Sequence, residues 1–100
     1  MTEAQLLASV LYLAAWTRWW AYHVHDSRRS APGFPDLVLV HRGTGRTLFR
    51  ELKSEKGRLT VEQREVLGLL GRRNDVGVWT PADWTSGAIL RELKTTAAAA

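Results

Sequence analysis

Asp36 opens one apolar, β-branched run and Glu51 and Lys53 close the next, within the segment GFPDLVLVHRGTGRTLFRELK. Ionised groups are costly to bury, so acids and an ammonium group on apolar strands need a chemical reason. If RGTGR forms a hairpin turn centred on Gly43 and Thr44, Asp36 faces Glu51 across an antiparallel pair. Directly opposed residues carry Cβ atoms about 4.5–5.5 Å apart. Two carboxylates that close repel each other unless a cation lies between them. Lys53, two residues beyond Glu51, projects from the same sheet face. Such a set suits a hard divalent cation, Mg²⁺ or Mn²⁺, which takes carboxylate oxygens, waters and substrate phosphate. The cation would lower the pKa of a bound water and polarise a phosphodiester. The lysine would orient the attacking water or stabilise charge on the phosphoryl oxygens. A slipped register, or a bulge at Gly45, would break the arrangement. The plainer alternatives are Asp36 as the cap of the turn after Pro35, and Glu51 with Lys53 as a cross-strand ion pair at a solvated edge.

The elements that must position these groups follow from periodicity and caps. Thr2 and Gln5 form a capping box ahead of an apolar stripe of Leu6, Leu7, Val10, Leu13 and Ala14, which predicts a helix from Glu3 to Trp19. Glu3 sits on that stripe, at the lip of the buried face. Ala21 to His25 reads as a short strand, and DSRRSAPG as a polar loop ending in turn residues. Asp36 to His41 and Thr47 to Lys53 are the paired strands, followed by a polar loop to Arg58. Thr60 and Gln63 form a second capping box, with Gln63, Val66, Leu67 and Leu70 facing inward and the helix ending near Arg73. Asp75 to Thr80 is a further strand, and Trp84 to Leu93 a last helix. The order α-β-β-β-α-β-α predicts an α/β domain on a small mixed sheet flanked by helices, spanning residues 1–94, with 95–100 a disordered alanine-rich tail.

The chain has 100 residues, 45% of them hydrophobic, which is enough for one core; a domain this small gains from dimerisation. It has no cysteine, which excludes a disulfide framework and thiolate metal sites. The longest apolar run, LLASVLYLAAW, is too short to span a membrane, and a soluble, cytoplasmic protein is expected. The net charge of +4, carried mostly by arginine, points to a polyanionic partner, most simply nucleic acid. Ser27, Arg28 and Arg29 lie just upstream of Asp36 and are placed for phosphate contacts; Lys56 and Arg58, in the loop after Lys53, are assigned to DNA contact with them. His23 and His25 share a strand face beside Asp26; satisfied polar neighbours or phosphate contacts are expected there in preference to zinc. Trp16, Trp19 and Trp20 cluster at the end of the first helix, as core packing, a dimer contact or a base-stacking platform, while Trp79 and Trp84 read as core and rim.

GFPD followed by ELK resembles the PD-(D/E)xK nuclease superfamily, and the ordered set YH, DSRR, GFPDLVLV, ELK, GRLT with its EQ, and VWTPADW is similar to a stand-alone VRR-NUC domain, a type met in phage and bacterial genomes. The Val-Arg-Arg triplet that names the family does not occur here. The resemblance implies a restriction-endonuclease-like core and metal-dependent hydrolysis of DNA, on branched forms such as four-way junctions, by a homodimer in a prokaryotic or phage-infected cell. It implies Asp36 and Glu51 as metal ligands with the backbone carbonyl of Leu52, Glu3 as a further contact direct or through water, Lys53 as the catalytic lysine, and Gln63 as a glutamine facing the site. The alternatives are a non-catalytic, basic nucleic-acid-binding module, or the nuclease subunit of a larger complex.

Overall fold

The structure, a computed structural model, describes residues 1–24 and 31–98. Helix α1 (Glu3–Trp16) begins at the expected capping box, Thr2 Oγ1 accepting from Gln5 N while Gln5 Oε1 accepts from Thr2 N. It stops three residues before Trp19. Thr17 donates its hydroxyl back to the carbonyl of Leu13, and Arg18 takes a left-handed conformation (φ 68°), a role more often filled by glycine. The reversal starts β1 (Trp19–His23) two residues earlier than the sequence suggests. Strands β2 (Leu37–His41) and β3 (Thr47–Leu52) follow, then α2 (Val61–Leu70), β4 (Asp75–Trp79), α3 (Pro81–Thr85) and α4 (Ala88–Ala98).

The predicted last helix is thus two helices. Gly87, at φ +80°, breaks the chain between them, and Glu55 from the loop after β3 accepts from Ala82 N at the start of α3. Nor does the chain leave the fold at residue 95. Helix α4 runs on to Ala98 with Thr96 buried, because alanine is the residue that continues a helix most readily.

The sheet order is β1-β2-β3-β4, with the first three strands antiparallel and β4 parallel to β3 across the α2 crossover, a small mixed sheet with flanking helices. One face carries Trp19, Leu37, Leu39, Leu48, Leu52 and Trp79 and packs against Leu6, Val10 and Ala14 of α1 and Ile89 and Leu93 of α4. Full burial of each such side chain contributes roughly 1.5–3 kcal/mol, so this layer is the main source of stability. Trp84 packs at its margin, as core and rim predict.

One charged side chain lies inside that layer. Arg50, 2% exposed, donates to Asp75 Oδ1 at 2.8 Å and the Asp75 carbonyl at 3.0 Å on β4, and to Glu92 of α4. Its guanidinium lies 5.2 Å from the ring centroid of Trp79, whose indole N–H donates to Glu92 Oε2 at 3.1 Å. This arginine therefore belongs to the interior and leaves the basic surface to the others. Truncating it strands two carboxylates, but Asp75 and Glu92 are 42% and 38% exposed and can rehydrate. We expect Arg50→Met to cost about 2–3 kcal/mol, below the 3–5 of a fully buried pair. That corresponds to a fall in Tm of roughly 10–20 °C for a domain of this size, read by thermal unfolding; a Tm unchanged within about 3 °C would show the network to be dispensable.

Candidate active site

The β2–β3 register pairs Leu37 with Arg50 and Val38 with Phe49, as a hairpin centred on Gly43 and Thr44 requires. Continued one step beyond the ladder, it sets Asp36 opposite Glu51. Ladder hydrogen bonds have ended there, and the side chain of Asp36 takes over: its Oδ2 accepts from Leu52 N at 2.9 Å. Because the N–H and C=O of one extended residue point to the same side of a strand, the Leu52 carbonyl is directed toward Asp36 as well. Asp36 is fixed from its other end by GFPD. Gly33, at φ +92°, lies so close to α2 that a Cβ would meet the carbonyl oxygen of Glu62 at 2.4 Å and Val66 Cγ2 at 2.8 Å.

Glu51 is 2% exposed. Its Oε2 accepts from Gln63 Nε2 at 3.0 Å and lies 3.5 Å from Lys53 Nζ. Gln63 also completes the α2 capping box, its Oε1 accepting from Thr60 N at 2.9 Å while its own N–H donates to Thr60 Oγ1. The two readings of Gln63 therefore hold at once, one through the amide oxygen and one through the amide nitrogen. Glu51 Oε1 is buried with no hydrogen-bond partner among the described residues. Burial, followed by the negative charge of Asp36, pushes the Glu51 carboxyl up to about 7, and Lys53 counteracts only part of this.

A cavity of about 210 Å³ opens at this corner of the sheet, with Glu3, His23, Asp36 and Leu52 in its wall. Glu3 thus reaches the same space as Asp36, from the first turn of α1. Asp36 also lines a second cavity of about 380 Å³, shared with Val24, Phe34, Thr60 and Gln63. Among the described residues no three of His, Cys, Asp and Glu form a cage by themselves. Two carboxylates, one of them with an orphaned buried oxygen, and a neighbouring backbone carbonyl are nevertheless a donor set that a hard divalent cation fits, since such ions keep several waters. Lys56 and Arg58 are exposed on the loop that follows Lys53. Ser27, Arg28, Arg29, His25 and Asp26 lie outside the described residues. Sequence reasoning does not single out Val24 or Phe34 as part of the site. The available signal was an aromatic residue set between the turn-formers Gly33 and Pro35.

Two consequences can be measured. A side chain at position 33 must both adopt a left-handed backbone and displace α2, so Gly33→Ala should cost about 2–4 kcal/mol in urea unfolding. Without metal, the fold holds a proton on Glu51 that the unfolded chain, titrating near 4.5, releases sooner. Its contribution is complete below about pH 4.5 and is lost as pH rises through about 7. With chelator present, the protein should lose roughly 2–3 kcal/mol between about pH 5 and about pH 8, whereas Glu51→Gln should flatten the profile and exceed the parent in stability at the upper pH. A parent profile as flat as that of the variant would show Glu51 to titrate normally.

The VRR-NUC domain family matches the chain over residues 2–81. Comparisons with curated proteins and with solved structures found no match. The matched span takes in α1, the hairpin with its acid pair, α2 and β4, and the small mixed sheet is consistent with a restriction-endonuclease-like fold. The chain belongs to the VRR-NUC domain family, within the PD-(D/E)xK nucleases.

Proposed function

We propose that this nuclease-family domain is a Mg²⁺- or Mn²⁺-dependent endonuclease that hydrolyses phosphodiester bonds in branched DNA, four-way junctions above all, and that it works as a homodimer. The observation that carries the reading is the acid pair of Asp36 and Glu51 with Lys53 beside it, in a VRR-NUC chain. Asp36, Glu51 and the Leu52 carbonyl would hold the cation, with Glu3 contributing across the cavity. When bound, such an ion polarises the phosphodiester and lowers the pKa of water. Gln63 keeps Glu51 in one rotamer by its amide hydrogen bond. Lys53 brings an ammonium group to the place where negative charge grows on the phosphoryl oxygens. Lys56 and Arg58, with Ser27, Arg28 and Arg29, would grip flanking phosphates, in keeping with the positive net charge.

Support for the dimer comes from α1. Glu3 is its sole charged residue, and Tyr12 and Trp16, 68% and 72% exposed, form a tilted ring pair on its outer side, with centroids 6.3 Å apart. An all-round apolar helix is normally covered, and a second copy can cover this one reciprocally.

The test is a panel of labelled four-way junctions, flaps, duplexes and single strands, incubated with Mg²⁺, Mn²⁺ or chelator. Cleavage should require metal and favour the junction. Asp36→Asn and Lys53→Ala should each lower kcat by roughly 10²–10³. A Lys53→Ala protein that cut as fast as the parent would falsify the mechanism.

A further inference from the structure

The sheet face that bears Glu51 is only partly covered. Helix α2 packs on its β4 side, and Phe34 sets its ring at 86° to Phe49, 6.2 Å away. On β1, Trp20 and Tyr22 alternate with the core-facing Trp19 and Ala21, and so project from the open face; they are 47% and 51% exposed. Register places them opposite Val40 and Val38, which are also incompletely covered. We propose that this open face is a stacking platform for unpaired nucleobases of the DNA strand that enters the candidate active site. The inference rests on the nuclease reading and extends it to a class of substrate feature.

Three observations support nucleobases as the occupant. The platform is continuous with the site: Tyr22 faces Val38, two residues along β2 from Asp36, and Val24, two residues along β1 from Tyr22, lines the same cavity as Asp36. The charge is suitable, since between the acid pair and the hairpin no residue of β1, β2 or β3 is acidic, and the far end of these strands carries exposed Arg18, Arg42 and Arg46. A strand on this track would have bases over aromatic rings and phosphates near guanidinium groups, the combination that single-strand binders use. The spacing is the third. Side chains two apart on a strand stand about 6.6–6.8 Å from each other, twice the 3.4 Å step of stacked bases in a duplex. Neighbouring bases can each meet a ring only if they have come off one another, which happens at a junction, flap or single strand and not inside an intact duplex.

The experiment uses fluorescence anisotropy with a labelled oligo(dT) of about ten nucleotides and a duplex of equal length, in chelator, so that binding is read without cleavage. The parent should bind the single strand more tightly than the duplex. Trp20→Ala and Tyr22→Ala should each weaken single-strand binding roughly 5- to 100-fold, with the slope of log affinity against log salt unchanged, because no phosphate contact is removed. Trp20→Phe should restore most of the affinity. Trp16→Ala, on the outer side of α1, should bind as the parent does. Thermal melts of each variant exclude unfolding as the cause. Parent-like binding by the Trp20→Ala, Tyr22→Ala double variant would overturn the proposal. So would native mass measurements showing a parent dimer that the double variant converts to monomer, since a second copy would then be the occupant. Cleavage is scored separately, with metal present, on Asp36→Asn, which should cut roughly 10²–10³-fold more slowly than the parent. A parent that never cuts, yet binds through Trp20 and Tyr22, would refute the nuclease reading and leave the platform standing.

Discussion

Asp36 and Glu51 face each other where the β2–β3 ladder runs out, so two acidic groups share a corner in which Glu51 is buried and Asp36 half-buried. Each surrounding element answers that repulsion. The Leu52 N–H takes one carboxylate, the Gln63 amide takes the other, and Lys53 brings an opposite charge to within 3.5 Å. The answer is incomplete, because one Glu51 oxygen keeps no partner among the described residues and its carboxyl is raised to about 7. A site built for stability alone would have neutralised the pair with apolar residues, which are often as good or better at such positions. Tension of this kind concentrates at functional sites.

The opposite sheet face carries the contrasting solution. Arg50, next to Glu51 in sequence and pointing the other way, is also buried, yet its donors are taken up by Asp75, Glu92 and the Phe49 carbonyl. Two adjacent charged residues on one strand thus serve different ends. One network is satisfied and ties β3, β4 and α4 together; the other is left short of partners beside a cavity.

What was legible in the sequence was local. Both capping boxes and the hairpin register depend on residues a few positions apart, and all three are found as expected. The end of α1 was not legible, because it turns on Arg18 adopting a conformation usually reserved for glycine. The split of the last helix is not legible even with Gly87 at that point, since a glycine inside an apolar pattern does not by itself announce a break. Arg50 could not be told from the surface arginines, its partners being 25 and 42 positions away. The tryptophan cluster likewise comes apart in space: Trp16 is exposed on the outer side of α1, Trp19 lies in the core, and Trp20 on the open sheet. Strand alternation separates the last two; the early end of α1 determines where that alternation begins.

Gln63 answers to two masters with one short amide. Its oxygen starts α2 and its nitrogen steadies Glu51. Glutamate in its place would keep the helix start but set a third negative group against the acid pair. Asparagine would offer the right chemistry on an arm one carbon too short. Of the twenty residues, glutamine alone meets both demands, so drift at this position is closed from two independent directions.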